Sequence, residues 1–93
     1  MPDLAEKTAR YEDLLATALA EASVAVPPET PLAESATAFQ DMARSYLEDG
    51  RHFREEGDDV DALAAFSYGH AWLDAGARIG LFDVPEEGHL FVV

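Results

Sequence analysis

The chain has 93 residues, of which 48% are hydrophobic and 10% aromatic, and its formal charge is −13 from nineteen Asp and Glu against six Lys and Arg. That balance repels nucleic acid and anionic membranes, while the apolar content argues for a folded rather than a disordered chain. With no cysteine, disulfides and thiolate metal sites are excluded.

Helix A is expected over about residues 3–24. Asp3 with Glu6 three residues later forms a capping-box-like start. Leu4, Thr8, Tyr11, Leu15, Ala18 and Ala22 then recur on one helical face. Pro27 and Pro28 stop it and open a short, stiff connector to Thr30.

Helix B is expected over 31–56, with Thr30 as N-cap and Pro31 at the first helical position. Leu32, Ala36, Phe39, Ala43, Tyr46, Gly50 and Phe53 repeat at alternating spacings of four and three, a heptad-like seam flanked by Met42 and Leu47. Gly57 is the expected left-handed stop.

Helix C is expected over 59–80, capped by Asp58 or Asp59 and ended by Gly80, with Leu81 folding back. The turn before it is so short that B and C form an antiparallel αα-hairpin. Two apolar stripes mark helix C: Leu63, Phe66, His70, Leu73 and Ala77, and Ala65, Tyr68, Trp72, Ala75, Ile79 and Phe82. A helix apolar on two sides is packed on two sides, so C is placed centrally against A and B with surface to spare for a partner. Leu90 to Val93 form an apolar tail expected to pack on the bundle or on a second chain, with extension as an edge strand the alternative. The expected fold is therefore all-α, an antiparallel three-helix bundle forming one domain over 1–93.

Gly50, Phe53, Gly57, Ala62, Phe66 and Gly69 follow the order of small, aromatic and turn residues in a tetratricopeptide repeat. With no second copy, the hairpin resembles a single such unit. The run from Ala62 to Phe82, read as ALAAFSYGHAWLDAGARIGLF, resembles the signature of the DUF357 family, and Tyr46, Phe53 and Gly57-Asp58 fit it as well. The resemblance covers about residues 30–82. It implies a helical bundle and an archaeal origin and carries no assigned activity.

His70, Asp74 and Arg78 stand four residues apart in one line on helix C. As a site, Asp74 would orient His70 and Arg78 would receive an anionic ligand. As structure, Asp74 pairs with Arg78 and satisfies a core or interface His70, which is the preferred reading. Gly69 and Gly76 each weaken a helix by about 1 kcal/mol relative to Ala and need a reason. Close helix approach is preferred, and the alternative is a ligand or partner chain lying beside Trp72. His52, with Glu48, Asp49 and Glu56 near it and Arg51 and Arg54 adjacent, reads as a solvated charged face rather than a metal site. The Glu-x-x-His of a di-iron bundle occurs once, from Glu86 to His89, so no metal and no cofactor is expected.

The preferred function is a non-enzymatic helical interaction module that self-associates, as a homodimer. The alternative is small-molecule binding around His70, Asp74 and Arg78. Weaker still is a relative of HEPN-type ribonucleases or of toxin–antitoxin proteins, because the Arg-x(4–6)-His signature does not occur. Met1 to Arg10 lacks the apolar core of a signal peptide, no apolar run approaches the roughly 20 residues of a membrane span, and a cytoplasmic setting is expected. Acidity with one Lys among six cations matches the surface chemistry of a salt-loving organism, where carboxylates hold water and salt screens their repulsion.

Overall fold

The computed structural model describes residues 3–85 and residue 91. Its elements are α1 (Leu4–Glu21), β1 (Ser23–Val24), α2 (Pro31–Glu55), α3 (Asp59–Arg78) and β2 (Phe82–Asp83). The three helices run up, down and up. Glu12 on α1 meets Arg51 and Arg54 on α2, and Gln40 of α2 reaches the Ala22 carbonyl just past the end of α1. Thr8 reaches the start of α3 at the Asp59 carbonyl. Helix α3 packs extensively on both other helices, which touch each other less. The body measures 44 × 26 × 16 Å.

Local chemistry sets the helix ends. Asp3 Oδ1 accepts from the Ala5 N–H, and Thr30 Oγ1 accepts from the Ala33 N–H while donating to the Pro27 carbonyl. Both α2 and α3 close in the same way. The Gly57 N–H reaches the Arg54 carbonyl and the Asp58 N–H the Phe53 carbonyl; Gly80 and Leu81 repeat this on Ala77 and Gly76. These are paired Schellman bonds, which need a left-handed residue; Gly57 and Gly80 supply φ of 79° and 84°. Asp58 finishes one helix and starts the next, its Oδ1 accepting from the Asp61 N–H. Three residues thus reverse the chain into the expected hairpin.

The core joins Leu15, Ala18, Leu47, Phe66, Leu73 and Leu81. On α2 the heptad seam divides by size. Ala36, Ala43 and Gly50 are buried, whereas Phe39, Tyr46 and Phe53 are half-buried along the flank. The small row lets α3 approach closely, and the large row walls the groove beside it.

Several expectations change. Helix α1 ends at Glu21 rather than near 24, because Ser23 and Val24 pair antiparallel with Asp83 and Phe82. That strand pair was not expected from the sequence. It ties the α1–α2 connector to the chain after α3, with Ala25 N–H donating to the Leu81 carbonyl. Glu29 bends the connector at φ 64°. On α3 the buried residues are Ala62, Ala65, Phe66, Gly69, Leu73 and Gly76, which keep Phe66 and Leu73 of the first expected stripe and Ala65 of the second and add the small residues between them. The second stripe is uncovered at its middle, where Tyr68 and Ile79 are 64% and 67% exposed and Ala75 is exposed, while Ala65 and Phe82 are buried. Of the apolar tail, Phe91 is buried in the core; Leu90, Val92 and Val93, like Glu86 and His89, lie outside the described residues.

Candidate functional site

Two regions around α3 hold the residues singled out from the sequence. On the α1 side, His70 Nδ1 lies 3.1 Å from Asp74 Oδ2, one helical turn away. Both side chains are about three-quarters covered. The Phe91 ring lies 6.1 Å from the imidazole. His70 also lines a cavity of about 250 Å³ between α1 and α3, with Tyr11, Leu14, Phe66 and Ser67. A carboxylate on one ring nitrogen fixes the imidazole's orientation, which suits either a structural histidine or a ligand-facing one.

Arg78 does not join this pair. It is exposed, and the ion pairs within 4 Å among the described residues do not include it. Eight residues on a helix turn through about 80° beyond two full turns, so Arg78 leaves the His70 side. Of the expected structural reading, the His70–Asp74 contact forms and the Asp74–Arg78 ion pair does not.

Gly69 and Gly76 are buried against their own chain. A Cβ on Gly69 would come within 2.8 Å of Leu15 and 3.0 Å of Tyr46, and one on Gly76 within 2.2 Å of the Phe82 ring. Close approach within the bundle accounts for both. Trp72, by contrast, is half-buried and meets Phe39 edge to face at 5.0 Å between ring centres.

That pair opens the second region, the outer face of the α2–α3 hairpin. Tyr46 and Tyr68 stack at 5.8 Å farther along it. From Ala64 to Ala75 this side of α3 presents Ala64, Tyr68, Ala71, Trp72 and Ala75, with no charge among them, and the exposed Arg78 and Ile79 follow at its C-terminal end. Two shallow hollows run along it, one walled by Phe39, Trp72 and Ala75, the other by Tyr46, Phe53 and Tyr68. Asp61 stands at one end. The adjacent Asp58 carboxyl raises the Asp61 carboxyl above its ordinary value, first by hydrogen bonding and then by charge.

Sequence reasoning missed one contact of consequence. Glu12 of α1 accepts from Arg51 Nε at 3.0 Å and from Arg54 Nη1 at 2.6 Å. Burial is the largest single influence on Glu12 and pushes its carboxyl up; the hydrogen bonds and charges of Arg54 and Arg51 together outweigh it, and the net direction is down. The i, i+3 spacing of the two arginines was visible, but their partner lies 39 residues upstream. His52 pairs with Glu56 at the exposed surface, as the solvated reading had it. Among the described residues no cluster of three His, Asp or Glu is placed to hold a metal. No helix of the described residues is long and apolar enough to cross a membrane.

The described residues therefore define a small three-helix bundle with a His–Asp pair on one side and an uncharged aromatic face on the other. A family model described as a protein of unknown function (DUF357) matches residues 10–82, and the chain belongs to that family. The match includes most of α1, which the resemblance seen in the sequence did not reach. No curated protein and no solved structure matches the chain.

Proposed function

We propose that this protein is a non-enzymatic interaction module that self-associates as a homodimer through the outer face of its α2–α3 hairpin. The observation that supports this is the uncharged surface on α3. In a chain with 27% charged residues, a continuous exposed face of Tyr68, Ala71, Ala75 and Ile79 is the region where two copies at −13 approach with least repulsion. The half-buried Trp72 and Phe39 add aromatic area of the kind that anchors interfaces.

The setting we infer is the cytoplasm of a salt-loving archaeon. Acidic, lysine-poor composition supports the salt, and the family resemblance supports the archaeal source. Molar salt screens the charge between copies while leaving apolar association intact. Size-exclusion chromatography with light scattering in molar KCl tests the proposal. Wild-type chain runs as a dimer and Tyr68→Glu as a folded monomer; a monomeric wild type at high micromolar concentration refutes it.

A second reading has one observation in its favour, the cavity of about 250 Å³ beside the oriented His70. It is the right scale for a small aromatic ligand, with Tyr11 and Phe66 as walls. An NMR titration with small phenols, read at the His70 ring, tests it; an unmoved resonance at millimolar probe removes it.

A further inference from the structure

The exposed face of α3 carries more than apolarity. Asp61, Tyr68 and Ala75 stand seven residues apart, and so do Ala64, Ala71 and Arg78, three residues out of step with the first set. Two rows with that offset are the a and d positions of a heptad seam. All six residues are exposed, so this seam is not the one that packs α3 into its own bundle. Its four central residues are uncharged, with one acid at the N-terminal end and one base at the C-terminal end. Among the described residues neither Asp61 nor Arg78 has an ion pair.

We propose that two copies of the chain pack α3 against α3 in antiparallel orientation, related by a two-fold axis, with each Asp61 meeting the partner's Arg78. This rests on the self-association proposed above and assigns its geometry. In an antiparallel pair each a position faces a d position. Asp61 then opposes Arg78, Ala64 opposes Ala75, and Tyr68 opposes Ala71. The two-fold axis repeats each contact in reverse order. Every layer is complementary: opposite charges at both ends, small against small next, and a large ring against a methyl group at the centre. The parallel alternative sets Asp61 on Asp61, Arg78 on Arg78 and Tyr68 on Tyr68, placing like charges together at both ends in a protein already strongly acidic. Asp61 is also already crowded by Asp58 of its own chain, and the partner's guanidinium supplies the cation that end lacks. The alanines permit the close helix approach that a two-row seam of six residues needs to exclude water.

Because the natural chain has no cysteine, cross-linking tests this register cleanly. Two single variants, Ala64→Cys and Ala75→Cys, are made with tags of different mass and oxidised alone and mixed. In the antiparallel seam residue 64 lies opposite residue 75, whereas the two copies of residue 64 are about 16 Å apart. The expected result is a mixed disulfide dimer with loss of self-linked product. Self-linking of each variant alone establishes a parallel seam and overturns the register while leaving self-association standing. No cross-link in a sample that light scattering shows to be dimeric overturns α3 as the contact. A sample that is monomeric throughout overturns both the register and the underlying proposal. A charge exchange gives an independent readout at the lowest salt that keeps the chain folded. Asp61→Arg and Arg78→Asp each weaken the dimer about tenfold, and the double variant recovers wild-type affinity. Recovery no better than the sum of the two losses contradicts the pairing.

Discussion

The Phe66 ring occupies the space that a side chain on Gly50 would need: a Cβ there would lie 2.2 Å from the ring edge. This is how α2 and α3 come together. Glycine on one helix makes room for an aromatic ring on the other, and neither works without its partner.

Gly50→Ala therefore destabilises the protein, although alanine gains about 1 kcal/mol of helix propensity over glycine. Forcing the ring aside costs about 1–3 kcal/mol and dominates. Urea unfolding at fixed salt reads the difference. Adding Phe66→Leu to Gly50→Ala then costs less than Phe66→Leu costs in the wild-type background, because the clash has gone. Strict additivity would separate the two residues and contradict the packing described.

The Glu12 clamp gives stability a defined pH dependence. The carboxyl lies below its ordinary value of 4.5 in the folded protein, so the bound form is favoured above that pH. Its contribution is complete at neutral pH and is lost as pH falls below 4.5 through the lower folded value. Glu12→Gln is accordingly less stable than wild type at pH 7, and the two converge as the solution is acidified below pH 4.5. Denaturation midpoints at several pH values check this. A gap that stays constant with pH would mean the arginines gain nothing from the charge.

Much of the fold was readable because it rests on local rules. Thr30 before Pro31, Gly57 before Asp58, and Gly80 before Leu81 mark helix ends wherever they occur. What stayed hidden depends on partners distant in sequence. Ser23 and Val24 became a strand through Asp83 and Phe82, about 60 residues away, and nothing in two residues announces that. On α3 the pattern showed two apolar stripes, and the first supplied Phe66 and Leu73, but the buried face is shifted toward Ala62, Gly69 and Gly76 because the glycines let neighbours in; an apolarity count gives glycine no weight. The line of His70, Asp74 and Arg78 was visible, but equal four-residue steps did not show that Asp74 meets His70 and not Arg78, which is exposed two turns from His70. The arginine pair at 51 and 54 was read only as a charged surface, since Glu12 belongs to another helix.

Phe91 closes the α1–α3 side of the core and is 8% exposed, with its ring beside His70. Phe91→Ala costs about 3 kcal/mol, within the range for large-to-small core changes. For a chain of this length that lowers the thermal midpoint by well over 10 °C, at about 4–8 °C per kcal/mol. A shift under 3 °C would show that the core closes without this ring.

Salt also controls stability. With nineteen acids on 93 residues, self-repulsion opposes the compact state until counterions screen it. The thermal midpoint followed by circular dichroism rises steeply between about 0.1 and 1 M KCl, as the Debye length falls from about 10 Å to about 3 Å. A midpoint that does not move with salt would remove the argument for a salt-loving source.

The proposed self-association requires the exposed face of α3 to be covered by a second copy. Sedimentation equilibrium in molar KCl, run over a range of concentrations, measures this directly. A dimer gives a mass of twice the chain's 10.1 kDa at micromolar concentration, falling to one chain on dilution or on placing a charge at residue 68. A single species of one chain's mass at every concentration would contradict it.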